Sequence, residues 1–252
     1  MEKEFKLKTS QLFSEITGQR DRWKKRQGTS AATGVFKRLT GDFWASHNCA
    51  LDELGPGPIS EQESRQSKRH NQLENHLKSF HWFLEKVRKN IAPTSADLQE
   101  LHARLMGQSV SRLSDYRQNP ATPLMEGHFP VEPEMVPLLV ENALQWFQAD
   151  SFGQMHEVEQ TALVLLKLTD IQPFERHNGK TLRLFSNFFL LRAGYPPAVI
   201  RSELTVRYSL ALQKALCYQT GPLVELLTES VSFALGYCLG ENPSSPPFVI
   251  LD

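Results

Sequence analysis

What this sequence most conspicuously lacks is an excess of charge. Lys and Arg number 28 and Asp and Glu number 28, for a formal net charge of zero. So even a balance gives no global electrostatic footprint for nucleic acid or for a membrane surface, and neither is expected as a partner. Cysteine is scarce. Cys49, Cys217 and Cys238 are scattered, odd in number and without metal-ligand spacing. They exclude a disulfide framework and point to a reducing compartment with buried or inert thiols. Long apolar runs are missing as well. Stretches such as Ala162–Leu166 fall far short of the ~20 residues that a bilayer-spanning helix needs. The opening residues, Met1-Glu2-Lys3-Glu4-Phe5-Lys6, contain no apolar h-region. The expected location is therefore cytoplasmic, or cytosolic in a host after delivery by a route that needs no such signal. Nothing in the sequence sets the oligomeric state.

What is present reads as helix. A chain of 252 residues, 40% hydrophobic and 22% charged, can bury a sizeable core as one large domain or two small ones. Most long segments have helical rather than alternating periodicity, and there is no internal repeat. Helices are predicted over 8–27, 32–53, 60–89, 95–107, 132–149, 154–170, a central segment ending at 193, then 202–217 and 220–240. The boundaries come from local signals. Gly55-Pro56-Gly57-Pro58 ends the second helix, and Ser60 with Glu63 suggests a capping box for the third. Thr94 with Asp97 caps the fourth, and Pro222 sits early in the last. Residues 108–131 carry Pro120, Pro123 and Pro130 and the turn pair Glu126-Gly127, and a short hairpin is expected there. His70, His76 and His81 read as ordinary polar positions, Trp44, Trp82 and Trp146 as packing residues, and Lys86-Val87-Arg88-Lys89 as a solvated helix end. The fold class is all-α. An N-terminal helical segment (1–92) precedes a core (93–242) and a C-terminal tail (243–252).

The chain is organised around residues 170–197. A short loop, Gln172 to His177, runs into Asn178-Gly179-Lys180 and an amphipathic helix with Leu184, Phe185, Phe188 and Leu191 on one face. Gly194 and Pro196-Pro197 supply stop signals. The first amides of a helix have no internal partner and the dipole favours negative charge there, so a polar, glycine-containing loop opening a helix suits an anion. Lys180 and Arg183, one turn apart, add two cations near that end.

This stretch resembles the signature of the Fic (Fido) family, His-Pro-Phe-x-(Asp/Glu)-Gly-Asn-Gly-(Arg/Lys)-x-x-Arg. Pro173, Phe174, Asn178, Gly179, Lys180 and Arg183 fit it; Gln172, Arg176 and His177 depart from it. Leu101-His102-Ala103-Arg104-Leu105 is similar to the family's Leu-His-x-x-Leu helix, and Ser114-Asp115-Tyr116-Arg117 to its Gly-x-Tyr-Arg turn. Leu124-Met125-Glu126-Gly127-His128-Phe129 stands in the place of its β-hairpin flap, which docks a target segment by strand addition. The resemblance implies a Fic-like helical bundle that transfers AMP from ATP to a hydroxyl of a target protein. In that reaction the His is the general base and the acidic residue holds Mg²⁺. The Gly-Asn-Gly amides cradle the phosphates, and the two basic residues grip them.

The departures bear on the chemistry. Gln172 stands at the position of the base, and a carboxamide does not titrate near neutral pH. General-base catalysis contributes roughly 10²–10⁴ in rate, so this change alone should cripple transfer. Arg176 occupies the carboxylate position and repels Mg²⁺, although a cation can pair with a phosphate. His177 replaces a glycine that lets phosphate approach the backbone. Phe174, Arg176, Asn178, Gly179, Lys180 and Arg183 remain the candidate nucleotide-binding set, for ATP or another nucleotide. Three functions stay open: a degenerate nucleotide- or anion-binding pseudoenzyme or regulator that contacts a protein partner through its flap; an active adenylyltransferase by an altered route, with His177 as base; and a purely structural interaction domain. Many family members also carry an inhibitory helix of pattern (Ser/Thr)-x-x-x-Glu-(Gly/Asn). Asn48, Asp52 and Glu53 stand at the corresponding positions, with Asp52 as the candidate partner of Arg183.

Overall fold

The computed structural model describes residues 2–51, 62–108 and 115–241. In chain order the helices are α1 (Glu2–Arg26), α2 (Ser30–Arg38), α3 (Trp44–Ala50), α4 (Gln62–Arg88), α5 (Ser95–Leu105) and α6 (Val136–Trp146). Then follow α7 (Asp150–Gly153), α8 (Glu157–Ile171), α9 (Asn178–Ser186), α10 (Phe188–Ala193), α11 (Thr205–Leu216) and α12 (Gly221–Leu239). The all-α expectation and most boundaries hold. Thr94 Oγ1 accepts from Asp97 N while Asp97 Oδ2 accepts from Thr94 N, the reciprocal cap that the sequence suggested. Gly194, at φ 91°, ends α10 in the left-handed conformation that glycine adopts at no steric cost. The Ser60 cap and Asp52 and Glu53 lie outside the described residues.

Four expectations need correction. The second helix is not continuous: a π-helical turn, Leu39–Phe43, joins α2 to α3. The central helix is broken after Ser186, because Asn187 turns its side chain on the backbone. Its Nδ2 donates to Arg183 O at 2.6 Å, and its Oδ1 accepts from Ala198 N at 2.7 Å. The hairpin is absent: among the described residues no strand forms. Residues 115–131 run extended with a turn at 124–127, closed by His128 N to Met125 O. Three prolines withdraw ladder donors from this segment, and several remaining amides bond to side chains or to the central loop instead. His76 is not an ordinary polar position but fully buried in α4. Of the thiols, Cys49 and Cys238 are buried and Cys217 is exposed.

One hydrophobic core unites the helices. α8 and α12 lie at its centre, and α1 packs along α12, burying Ile16 and Trp23. α12 is long and apolar enough to cross a membrane by length and composition, yet most of it is buried against α1, α8 and α11, so its apolarity is that of a core helix. At the basic end of α4, Arg88 and Lys89 are exposed and Lys86 is half-buried. Lys86 pairs with Asp97 at 2.8 Å and lies over the Trp82 ring, and Arg88 pairs with Glu85 at 2.6 Å.

Candidate nucleotide site

The site begins where α8 ends. Gln172 caps α8 in the left-handed conformation (φ 48°, ψ 67°), which turns the chain out into the 172–177 loop. Phe174 is then driven inward. It is 1% exposed and stacks on His102 of α5, with ring centroids 3.9 Å apart and planes 8° from parallel. His102 Nε2 donates to Arg176 O at 3.0 Å, fixing the neutral tautomer, and burial lowers its pKa to about 4. Asn178 closes the loop: its Oδ1 accepts from Phe174 N at 2.9 Å and its Nδ2 donates to Phe174 O at 2.7 Å. Asn178 thus shapes the loop with both ends of its amide. His177 sits at φ 60°, ψ 25° as the residue before α9. A bulky residue there has kept the backbone conformation for which glycine is the usual choice. His177 and Arg176 are exposed, at the mouth of the α9 N-terminus.

The Gln172 carboxamide holds the chain rather than facing solvent freely. Gln172 Nε2 donates to Thr122 O at 3.0 Å. That bond is one of a set that straps residues 115–131 across the loop. Arg117, 1% exposed, donates from Nε to Gln172 O at 2.8 Å, from Nη1 to Asn119 O at 2.9 Å and from Nη2 to Val131 O. Its backbone N–H reaches Pro173 O at 2.9 Å. Glu175 Oε1 accepts from Gln118 N, Asn119 N and Asn119 Nδ2 at 2.8–3.1 Å, and those bonds hold its carboxyl below the usual range. Further along, His128 Nδ1 accepts from Leu124 N and its Nε2 donates to Asp170 Oδ1 at 3.1 Å. Of the 124–129 residues proposed for docking, Phe129 is the most exposed large hydrophobic at 88%.

The two motif cations are placed differently from the loop. Lys180 and Arg183 are 4% and 5% exposed, inside α9 packing rather than at its open end. Arg183 is held by α3: its Nε donates to Asn48 Oδ1 and its Nη2 to Asn48 O at 2.8 Å. The Asn48 amide donates in turn to Lys180 O at 3.2 Å and to His76 Nε2 at 2.8 Å. His76, enclosed and facing Arg183 and Lys180, has its pKa pushed down to about 3, by burial first. It is therefore neutral, with its proton on Nδ1, an atom that has no partner. Asn48, named from the sequence beside Asp52, thus meets Arg183 among the described residues. His76 was missed, although a signal existed: positions 76, 80, 83 and 87 share one helical face, and the other three are buried apolar residues.

The residues fit an anion better than a metal. The α9 N-terminus, with Arg176 beside it, offers amides and a cation. Mg²⁺ asks for oxygen ligands. Arg176 is a cation, and the neighbouring Glu175 directs an oxygen to three N–H groups of the strap.

Comparison with known proteins accords with this geometry. The Fic/DOC family pattern matches residues 92–190. The chain is 31% identical over 159 residues to the protein adenylyltransferase Fic of Drosophila erecta, a match that covers 63% of this chain and 32% of the relative. It is 33% identical over 166 residues to the protein adenylyltransferase Fic of Culex quinquefasciatus, covering 66% of this chain and 33% of the relative. The chain thus spans about a third of the length of these curated relatives. In fold it resembles Fic-1 of C. elegans, with a TM-score of 0.74 at 20% identity, over 93% of this chain and 73% of the other. It also resembles a Fic domain containing signaling protein of Bacteroides thetaiotaomicron, with a TM-score of 0.72 at 20% identity, over 93% and 99% of the two chains. Motif order, loop geometry and these likenesses agree: this chain carries a Fic/DOC family domain at residues 92–190.

Proposed function

We propose that this domain binds a nucleotide, or another phosphate-bearing anion, without ordinary AMP transfer, and that it acts by engaging a protein partner along the strap that includes Leu124–Phe129. The observation that carries the reading is the bond from Gln172 Nε2 to Thr122 O. The group at the base position is a tethered carboxamide that cannot accept the proton of a target hydroxyl. The loop around it keeps its anion-cradling backbone through His177 at φ 60° and the Asn178–Phe174 pair. Arg183, bound by Asn48, is withheld from a polyphosphate until α3 shifts.

Two measurements test this. Thermal melting with ATP, with and without Mg²⁺, should show stabilisation. Ligand at 100 times its dissociation constant adds about 2.7 kcal/mol, and the charge-reversed Arg176→Glu variant should need roughly tenfold more ATP for the same shift. No shift at any ATP concentration would sink nucleotide binding. Labelled-AMP transfer is then compared between the parent and the triple variant Gln172→His, Arg176→Asp, His177→Gly. The parent should be silent and the variant should label protein. Labelling by the parent that disappears with His177→Ala would instead establish a relocated base.

A further inference from the structure

We infer that the cleft where the C-terminal ends of α1, α4 and α10 meet binds an amphipathic carboxylate, at a place that shares no residue with the motif loop. The cleft encloses about 610 Å³, within the roughly 300–1,000 Å³ of small-molecule sites. Phe36, Leu84, Val87 and Leu191 give it apolar walls, Lys24, Arg88 and Arg192 are its cations, and no Asp or Glu lines it. Arg88 is already paired with Glu85, whereas Lys24 and Arg192 form no ion pair among the described residues. Both are nonetheless braced. Arg192 lies over the Phe188 and Phe189 rings, 5.3 Å from each centroid. The Lys24 methylenes cross Gly194 so closely that a Cβ there would meet them at 3.0–3.2 Å.

Basic residues at helix ends often do no more than complement the dipole. Two observations go further. The cations surround a cavity with apolar walls rather than open solvent. Trp23, which lines it, is 1% exposed, and its indole N–H has no acceptor. A buried donor of that kind calls for an acceptor that the chain itself does not provide. One ligand answers all three features: an apolar body against the walls, a negative head between Lys24 and Arg192, and an oxygen for the Trp23 N–H.

The test is calorimetric titration with decanoate below its micellar concentration, beside decan-1-ol and decyl phosphate. Decanoate should bind. The alcohol, with the same chain and no charge, should bind at least tenfold more weakly, as should decanoate to the Lys24→Gln/Arg192→Gln variant, whose changes are at exposed positions. Trp23→Phe keeps a ring and removes the N–H. It should weaken decanoate several-fold without lowering the melting temperature by more than a few degrees. Absence of decanoate binding would overturn the proposal, and so would equal affinity for acid and alcohol or an unchanged double variant. Decyl phosphate binding tenfold tighter than decanoate would overturn the carboxylate assignment. A protein that fails to bind ATP can still bind decanoate, so this result stands apart from the nucleotide reading.

Discussion

His177 carries a glycine's backbone at the entrance to α9, and the loop is built to impose it. Left-handed φ costs an ordinary residue roughly 1–2 kcal/mol, more when it is β-branched. His177→Gly should therefore leave stability within about 1 kcal/mol of the parent, while His177→Val should lose about 2 kcal/mol, both read from urea midpoints. Two other histidines govern the response to acid. His102 titrates at about 4 and His76 at about 3 in the folded protein, because burial disfavours their charged forms. In the unfolded chain both titrate near 6.5, the unperturbed value. Between those limits the unfolded state binds protons that the native state does not. Stability is thus full above about pH 6.5 and falls as pH drops toward 4. The urea midpoint should be lower at pH 5 than at pH 7.5, and His102→Gln should flatten that dependence.

At the scale of single elements, the short helix α3 decides the state of the motif through Asn48. Asn48→Ala would remove the Oδ1 acceptor of Arg183 Nε while keeping the backbone carbonyl that Nη2 reaches, a loss of about 1.5–3 kcal/mol, the usual range for one hydrogen bond to a charged group. If the contact also withholds Arg183 from ligand, the same variant should bind ATP more tightly despite its lower stability, and a calorimetric titration separates the two effects. Thr94→Ala should cost about 1 kcal/mol through the lost α5 cap. The sequence made such caps legible because they are local: Thr94 with Asp97, Gly194 and Pro222 act within one helical turn. The resemblance placed the motif residues in order through the 172–177 loop and the first turns of α9. What was not legible depended on distant partners. Nothing near Asn187 announces that Ala198 N will claim its side chain, and the π-turn at Leu39–Phe43 has no local marker. The absent hairpin was expected from the turn pair Glu126-Gly127, and the turn did form without strands beside it among the described residues. Pro120, Pro123 and Pro130 opposed the strands, and Arg117 and Glu175 supplied the bonds that a ladder would have made.

At the scale of the whole molecule, the N-terminal helix is part of the structure rather than an appendage. α1 lies along α12. Arg26 donates to Leu239 O at 2.9 Å, Arg22 binds Glu241 through both carboxylate oxygens, and Thr17 and Arg20 reach Tyr195 beyond α10. A protein lacking residues 1–27 should expose the α12 face that Ile16 and Trp23 cover. It should then bind more anilinonaphthalene sulfonate and aggregate more readily than the whole chain. The same pairing sets a timetable for synthesis. α1 leaves the ribosome before α12, which follows roughly 200 residues later, an interval on the order of 10–40 s at about 5–20 residues per second. For that interval the apolar stripe of α1 is a nascent surface awaiting its cover, and a holding chaperone has its clearest target there.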